Sequence, residues 1–344
     1  MKKETVNLFF ACDERYLPLF GVALSSLKAH RDKARSYRAY LLHTDISKEQ
    51  RDEMCARFNE RGFSLVFRNV SREIAHFAAR LHTRDYYSNA TYYRLLIPDL
   101  YPRMKKALYL DCDILLRGDV SRLFDTDITG LLAGAIPDGF VNYVPVLRRY
   151  VENRVGVAKD VPYFNAGVLL MNLDEMRKMH FGDRFLTLLS TVKFRVAQDQ
   201  DYLNVLCAGR VRFLSDIWNY MPFKPAVEEP MLVHFNLDSK PWQKDGVLYE
   251  DEFWACADSV PYGALLHEKK LAYTEEDVRR AAEQTENLIA LAVRESEDAE
   301  ENRRIHVRIR RVLQEKKKSS PKTQAAVVPA PPVRKENMLA RGAL

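Results

Sequence analysis

The chain has 344 residues, 47% of them hydrophobic and 29% charged, with a formal net charge of +6. That length allows one large or two ordinary domains with a substantial core, and that composition belongs with soluble globular proteins rather than disordered or membrane-embedded ones. Five scattered cysteines, Cys12, Cys55, Cys112, Cys207 and Cys256, form no C-x-x-C pair, which argues against a disulfide framework or a zinc knuckle. No 18 apolar residues run together, and Met1-Lys2-Lys3-Glu4 leads into a strand without a signal-peptide core, so a cytoplasmic location is expected.

In chain order, Thr5 to Cys12 reads as the first strand and Leu17 to His30 as a helix. Ala39 to His43 is a strand, Lys48 to Glu60 a helix with Ser47 as N-cap, and Ser64 to Asn69 a third strand. Further apolar runs follow at Ala107 to Leu116, Leu132 to Ile136, Phe164 to Met171 and Val211 to Leu214, with helical periodicity at Gln200 to Leu206. Near-continuous apolar strands alternating with helices predict an α/β fold whose mostly parallel sheet is covered by helices. The first turn, Ala11-Cys12-Asp13-Glu14-Arg15-Tyr16, lacks G-x-G-x-x-G, which argues against a nicotinamide or flavin dinucleotide site. Ligands in such sheets still bind at the carboxyl ends of strands, where Asp13 and Tyr16 fall.

Beyond residue 274 the composition changes. Residues 275–301 carry ten acids against three bases, and 303–318 carry eight bases against one acid. Residues 319–344 are rich in Pro, Ala, Val and Lys and cannot supply a packed core. The chain is therefore expected to divide into a globular domain at 1–262, a charged helical extension at 263–318 and a Pro-rich tail at 319–344. Ile305, Ile309, Val312 and Leu313 fall at helical spacing among arginines, the pattern of a basic interfacial helix that touches an anionic membrane face. A helix folded against the acidic segment, or paired with another subunit, fits the same pattern. The basic run is confined to this end, so no nucleic-acid partner is expected.

The run Ala107-Leu108-Tyr109-Leu110-Asp111-Cys112-Asp113-Ile114-Leu115-Leu116 places two carboxylates inside an apolar strand. Residues i and i+2 of a strand share a face, which sets Asp111 and Asp113 roughly 7 Å apart. Two buried like charges need protonation, a basic partner or a hard cation, and the pattern points to a metal site.

Read with that run, four segments carry a resemblance: Phe9 to Tyr16, Tyr163 to Asn172, Gln198-Asp199-Gln200-Asp201, and His234-Phe235-Asn236-Leu237-Asp238-Ser239-Lys240-Pro241-Trp242. Together they resemble glycosyltransferase family 8, whose members include bacterial lipopolysaccharide α-galactosyl- and α-glucosyltransferases and glycogenin, over about residues 5 to 245. The resemblance implies a GT-A (Rossmann-like) fold and a retaining transfer of glucose or galactose from UDP-glucose or UDP-galactose to a glycan acceptor. It implies Mn²⁺, with Mg²⁺ as the other ion, held by Asp111, Asp113 and His234; the imidazole nitrogen favours Mn²⁺. By the same resemblance Ala11, Asp13 and Tyr16 hold uridine, and Arg94, Asp111, Asn165, Ala166 and Lys240 lie along the rest of the donor. Asp138 is the acceptor-site acid, and Gln200 and Asp199 carry the chemistry. Gln200 suits stabilisation of an oxocarbenium-like transition state; a double displacement would recruit Asp199 instead. Two departures stand out: Leu237 replaces a family Gly in the phosphate loop, and Arg15 replaces a smaller polar residue. Trp242 reads equally as a core anchor or a ligand contact. The alternatives are a non-catalytic sugar-nucleotide-binding scaffold and a haloacid-dehalogenase-like phosphatase, which also places Asp-x-Asp after an apolar strand.

Overall fold

The computed structural model describes residues 4–75, 81, 89–223, 228–237 and 239–314. Among them the strands are β1 (Val6–Ala11), β2 (Tyr37–His43), β3 (Phe63–Asn69), β4 (Lys106–Leu110), β5 (Ile114–Leu116), β6 (Ala133–Pro137), β7 (Phe164–Asn172), β8 (Val211–Phe213) and β9 (Leu232–His234). Seven form one sheet in the order β3-β2-β1-β4-β7-β6-β8, and β5 pairs with β9 in a second, two-stranded sheet. The pairings of β1 with β2 and β4, β2 with β3, and β6 with β8 are parallel; those of β7 with β4 and β6 are antiparallel. This is the mostly parallel mixed sheet that the apolar runs predicted.

Side chains of the central strands alternate between two cores. Val6, Leu8 and Phe10 of β1 and Leu108 and Leu110 of β4 join the core that contains the helix Leu17–His30. Phe9, Ala107 and Tyr109 point to the opposite core, with Tyr92, Phe185 and Tyr202. Burial on both faces is what the unbroken apolar sequences encode. The helix Lys48–Phe58 starts as predicted at Ser47, whose side chain accepts from the Gln50 backbone N–H while the Gln50 side chain returns the bond, a capping box.

The run 107–116 is two strands, not one. The Asp111 N–H donates to the Gly167 carbonyl (2.8 Å), the last rung of β4 on β7, and the Asp113 carbonyl accepts from the Phe235 N–H (2.9 Å), the first rung beside β9. Asp111 to Asp113 thus span the seam between the two sheets, and the two acids leave the ladder just where it changes partner.

The charged segment forms two helices, Glu275–Glu297 and Ala299–Gln314. The first is capped by Thr274 and Asp277; Asn302 closes its far end, donating to the Glu295 carbonyl (3.0 Å). Ile305, Ile309 and Val312 are buried in the same core as Tyr92 and Tyr202, and Leu313 packs against it. Of the readings open for this stripe, the structure shows the one folded within the chain, because the core offers it apolar partners; among the described residues, Arg303, Arg304, Arg308, Arg310 and Arg311 remain exposed. Residues 315–318 of the basic run and the tail 319–344 lie outside the described residues. No described helix is long and apolar enough to cross a membrane.

Candidate active site

Every candidate catalytic, donor-binding, acceptor-binding and metal-ligating residue named from the sequence lines one cleft at the carboxyl end of β1 and β4. Ala11, Asp13 and Tyr16 form one end, Arg94, Asp111, Asp113, His234 and Lys240 the middle, and Asn165, Ala166, Asp138, Asp199 and Gln200 the other. The sheet brings them together. The β1 and β4 strands are neighbours, β7 lies next to β4, and β9 delivers His234 opposite Ile114.

In the middle, one ligand atom each from Asp111, Asp113 and His234 lie within 4.8 Å of one another. His234 Nε2 is 3.3 Å from Asp113 Oδ1 and 3.8 Å from Asp111 Oδ2. Its Nδ1 lies 2.8 Å from Asn219 Oδ1. An amide oxygen only accepts, so the Nδ1 carries the proton and Nε2 faces the carboxylates, the tautomer a ligating histidine needs. Burial disfavours the imidazolium, yet Asp113 and Asp111 outweigh it and hold the His234 pKa above its ordinary value. Burial likewise works against the Asp113 anion, but the His234 contact and Lys240 keep its pKa low.

The site also depends on an absent side chain. A Cβ on Gly167 would stand 2.4 Å from His234 Cε1 and 2.6 Å from Asp111 Oδ2. Only glycine lets β7 pass this close beneath the triad. The three donors and that bare backbone fit a hard divalent cation with oxygen and imidazole ligands.

A ring of polar contacts runs from the triad around the cleft. Asn219 Nδ2 donates to Asn165 Oδ1 (3.0 Å), and Asn165 Nδ2 donates to Asp138 Oδ2 (3.0 Å). Gln200 Nε2 donates to the same Asp138 oxygen (3.1 Å), while Gln200 Oε1 accepts from the Ala166 N–H (2.9 Å). The Ala166 carbonyl accepts from Arg94 Nη1 (2.5 Å), and Arg94 Nη2 pairs with Asp111 Oδ1 (3.0 Å), which closes the ring. Arg94 is not a surface ion pair. It is buried, lies 4.3 Å above the Tyr109 ring and also meets Asp199 Oδ2 at 3.1 Å. Burial pushes the Asp199 carboxyl up to about 7, against the pull of Arg94 and with the push of Asp111.

The helix Asp199–Leu206 is held from below by Asp201, which accepts from Tyr163 (2.7 Å) and Tyr150 (2.9 Å) and whose pKa burial raises to about 6. Asn204 of the same helix takes both backbone groups of Phe164, its Oδ1 accepting from the N–H and its Nδ2 donating to the carbonyl (both 3.0 Å). An amide side chain thereby serves as an extra sheet rung and fixes Gln200 beside Asn165. Gln198, just ahead, has φ of +48°, a region side-chain-bearing residues rarely adopt.

At the first end, Arg15 pairs with Asp13 Oδ2 at 2.6 Å, and Asp13 Oδ1 is buried with no hydrogen-bond partner among the described residues. Arg15 therefore occupies one side of the acid expected to meet uridine and leaves the other free. Leu237 has φ of +52°, the left-handed region. The loop demands a glycine-like backbone here, and this chain meets the demand with Leu. Trp242 is core: it packs against Phe253 (ring centroids 5.4 Å) and Phe235 (6.4 Å) and does not line the cleft. Asp238 lies outside the described residues.

Several groups escaped the sequence reading. Tyr109 donates to Asp111 Oδ1 at 2.9 Å, and its position two residues earlier on the same strand face was the available signal. Asn219 and Lys269, whose Nζ lies 5.7 Å over the Tyr16 ring, gave no local signal.

A mostly parallel mixed sheet whose central strand ends in an Asp-x-Asp turn above such a cleft is the architecture of GT-A glycosyltransferases. Among solved structures, galactosyltransferase LgtC in complex with donor and acceptor sugar analogues superposes with a TM-score of 0.65 and 29% identity, over 74% of this chain and 96% of that one. The chain belongs to glycosyl transferase family 8, whose profile matches residues 7–246. A putative glycosyltransferase of Haemophilus influenzae is 28% identical over 231 residues, 64% of each chain. The lipopolysaccharide 1,2-glucosyltransferase of Escherichia coli is 25% identical, over 75% of this chain and 76% of the relative. The lipopolysaccharide 1,3-galactosyltransferase of Salmonella typhimurium is 24% identical, over 74% and 77%. Family membership removes the phosphatase reading.

Proposed function

We propose that the protein is a retaining hexosyltransferase that moves glucose or galactose from a UDP-sugar to a cell-surface glycan acceptor of lipopolysaccharide type, with Mn²⁺, or less effectively Mg²⁺, at Asp111, Asp113 and His234. The observation that carries the reading is the convergence of these three donors over the bare Gly167 backbone, in a cleft that is also lined by Asp13 and Tyr16 and by Asp138, Asn165 and Gln200. A divalent ion held there supplies charge stabilisation to the departing diphosphate.

The chain's own groups divide the remaining work. Tyr16 offers a face for uracil, a stacking worth about 1–3 kcal/mol, and the free Asp13 oxygen accepts a base N–H. Lys240, buried in the cleft, places a positive charge beside the phosphates. Asn165 and Ala166 orient the hexose, and Asp138 receives an acceptor hydroxyl. Asp199 is engaged by Arg94 and raised toward neutrality by burial, which weakens it as a nucleophile. Gln200 keeps a second carbonyl lone pair for the developing positive charge at the anomeric carbon. Front-side substitution follows, in which a donor phosphate oxygen takes the acceptor proton and the α configuration is retained. The five free cysteines agree with a reducing, cytoplasmic setting.

Binding without turnover is the second reading, favoured by Leu237 in the left-handed phosphate loop and by Arg15 on Asp13. Incubation with Mn²⁺ and UDP-glucose or UDP-galactose separates the two. Release of UDP, with transfer to oligosaccharide acceptors in α linkage by NMR, is expected; tight UDP binding with no cleavage of any UDP-sugar would establish the binding role. Gln200→Ala should cost about 2–4 kcal/mol of transition-state stabilisation, comparable to one preorganised polar group.

A further inference from the structure

The cleft continues past the ring of polar contacts. Beyond Asp138 and Gln200 its wall changes to Phe140, Val141 and Leu147, joined by Val196 and, from the C-terminal helix Glu275–Glu297, by Leu288. Leu288 lies outside residues 7–246 that carry the family's profile.

The helix is placed firmly enough to act as a wall. It packs against the helix Pro145–Tyr150, which holds Leu147, and its own Ala292, Glu295 and Ser296 are buried. Arg154 reaches both Glu295 (3.6 Å) and Asn302 (3.2 Å), which ties the end of this helix to the segment following Tyr150. Toward its N-terminus the same face is only half-buried, at Leu288, Gln284, Ala281 and Asp277. Leu288 is thus the point where a helix anchored in the core reaches the mouth of the cleft.

Phe140, Val141 and Leu288 are half-buried apolar groups left facing a pocket, next to the acid that receives the acceptor hydroxyl. A polar sugar ring has no use for all of them, and apolar surface at a binding site gains most from an apolar ligand group that displaces its water. The acceptor's reacting hydroxyl must approach Asp138 and Gln200, so the group attached to the far side of its sugar meets this wall.

We propose that Leu288, with Phe140 and Val141, forms an aglycone subsite that selects acceptors whose sugar carries an alkyl or other apolar substituent. Leu288 is a specificity-determining residue here and takes no part in bond making. The inference rests on the transferase reading above, with Asp138 at the acceptor end.

The test uses the full-length protein with Mn²⁺ and UDP-sugar, and methyl and hexyl β-glucosides and β-galactosides as paired acceptors. The hexyl compounds should show a KM about 10-fold below their methyl counterparts. Leu288→Gln, similar in size and equally tolerant of a helix, should raise the hexyl KM to near the methyl value while leaving the methyl KM, kcat and UDP-sugar hydrolysis unchanged. Where neither probe is glycosylated, calorimetric Kd values for the same pairs in the presence of UDP and Mn²⁺ replace KM. Equal values for methyl and hexyl compounds in the wild type, or a Leu288→Gln effect that is the same on both, overturns the subsite. Absence of any UDP-sugar cleavage by the wild type removes the transferase reading itself, whereas intact cleavage with no alkyl preference removes only the subsite.

Discussion

At the level of single residues, the site was legible where chemistry made residue types conspicuous. Two acids in an apolar run and a histidine after another apolar run are costly anomalies, and the fold brings them within 4.8 Å. Gly167 carries the sharpest consequence. Gly167→Ala would press a methyl group onto His234 and Asp111, so it should abolish divalent-cation binding and cost about 1–3 kcal/mol of stability, read by metal titration and thermal denaturation. A variant that binds Mn²⁺ normally would show that β7 can retreat. Asn219 stayed illegible because an asparagine in a loop carries no mark of the imidazole it orients. Trp242 was ambiguous for a related reason: a large aromatic after Pro241 fits a pocket or a core, and only tertiary packing against Phe253 decides.

At the level of elements, the strands and the capped helix Lys48–Phe58 followed from period and capping chemistry, but the break inside 107–116 did not. Local sequence shows an apolar run; which strand each half pairs with is set by β7 and β9, far away in the chain. The helix Asp199–Leu206 shows how such distant partners position chemistry. Asn204→Ala would strand the buried N–H and carbonyl of Phe164, so a loss of about 2–5 kcal/mol is expected by chemical denaturation, with a larger fall in transfer rate than in nucleotide affinity. The Asp201 carboxyl in the same helix has its folded pKa raised to about 6 from an ordinary 3.8. The native state then holds a proton that the unfolded chain releases, so this group lowers stability as pH climbs from about 4 to about 6. Asp201→Asn should lack that portion of the decline, on the order of 2–3 kcal/mol, in denaturation curves compared across this range. Parallel pH profiles for the two proteins would show that Asp201 is ionised throughout.

For the molecule as a whole, charge pattern alone left the C-terminal end open between a lipid-facing and a protein-facing helix. An amphipathic basic helix looks the same whether its apolar stripe meets lipid or protein, and here Ile305, Ile309 and Val312 meet the core. Ile305→Ala should therefore cost about 2–5 kcal/mol, measured by urea denaturation, a penalty a lipid-facing residue would not incur in solution. Removal of residues 275–344 should likewise destabilise the catalytic part, because it uncovers that face and the cleft wall at Leu288.

The central claim is that Asp111, Asp113 and His234 form one cation site that serves UDP-sugar cleavage. Its most direct measurement is UDP release by the chelator-treated protein as Mn²⁺ is added back, compared with Asp113→Asn under the same conditions. The account predicts no release without the ion, saturable recovery with it in the wild type, and at least about a 100-fold lower rate in the variant, in line with several kcal/mol supplied through the ion. Full activity in excess chelator, or an Asp113→Asn protein that matches the wild type, would contradict it.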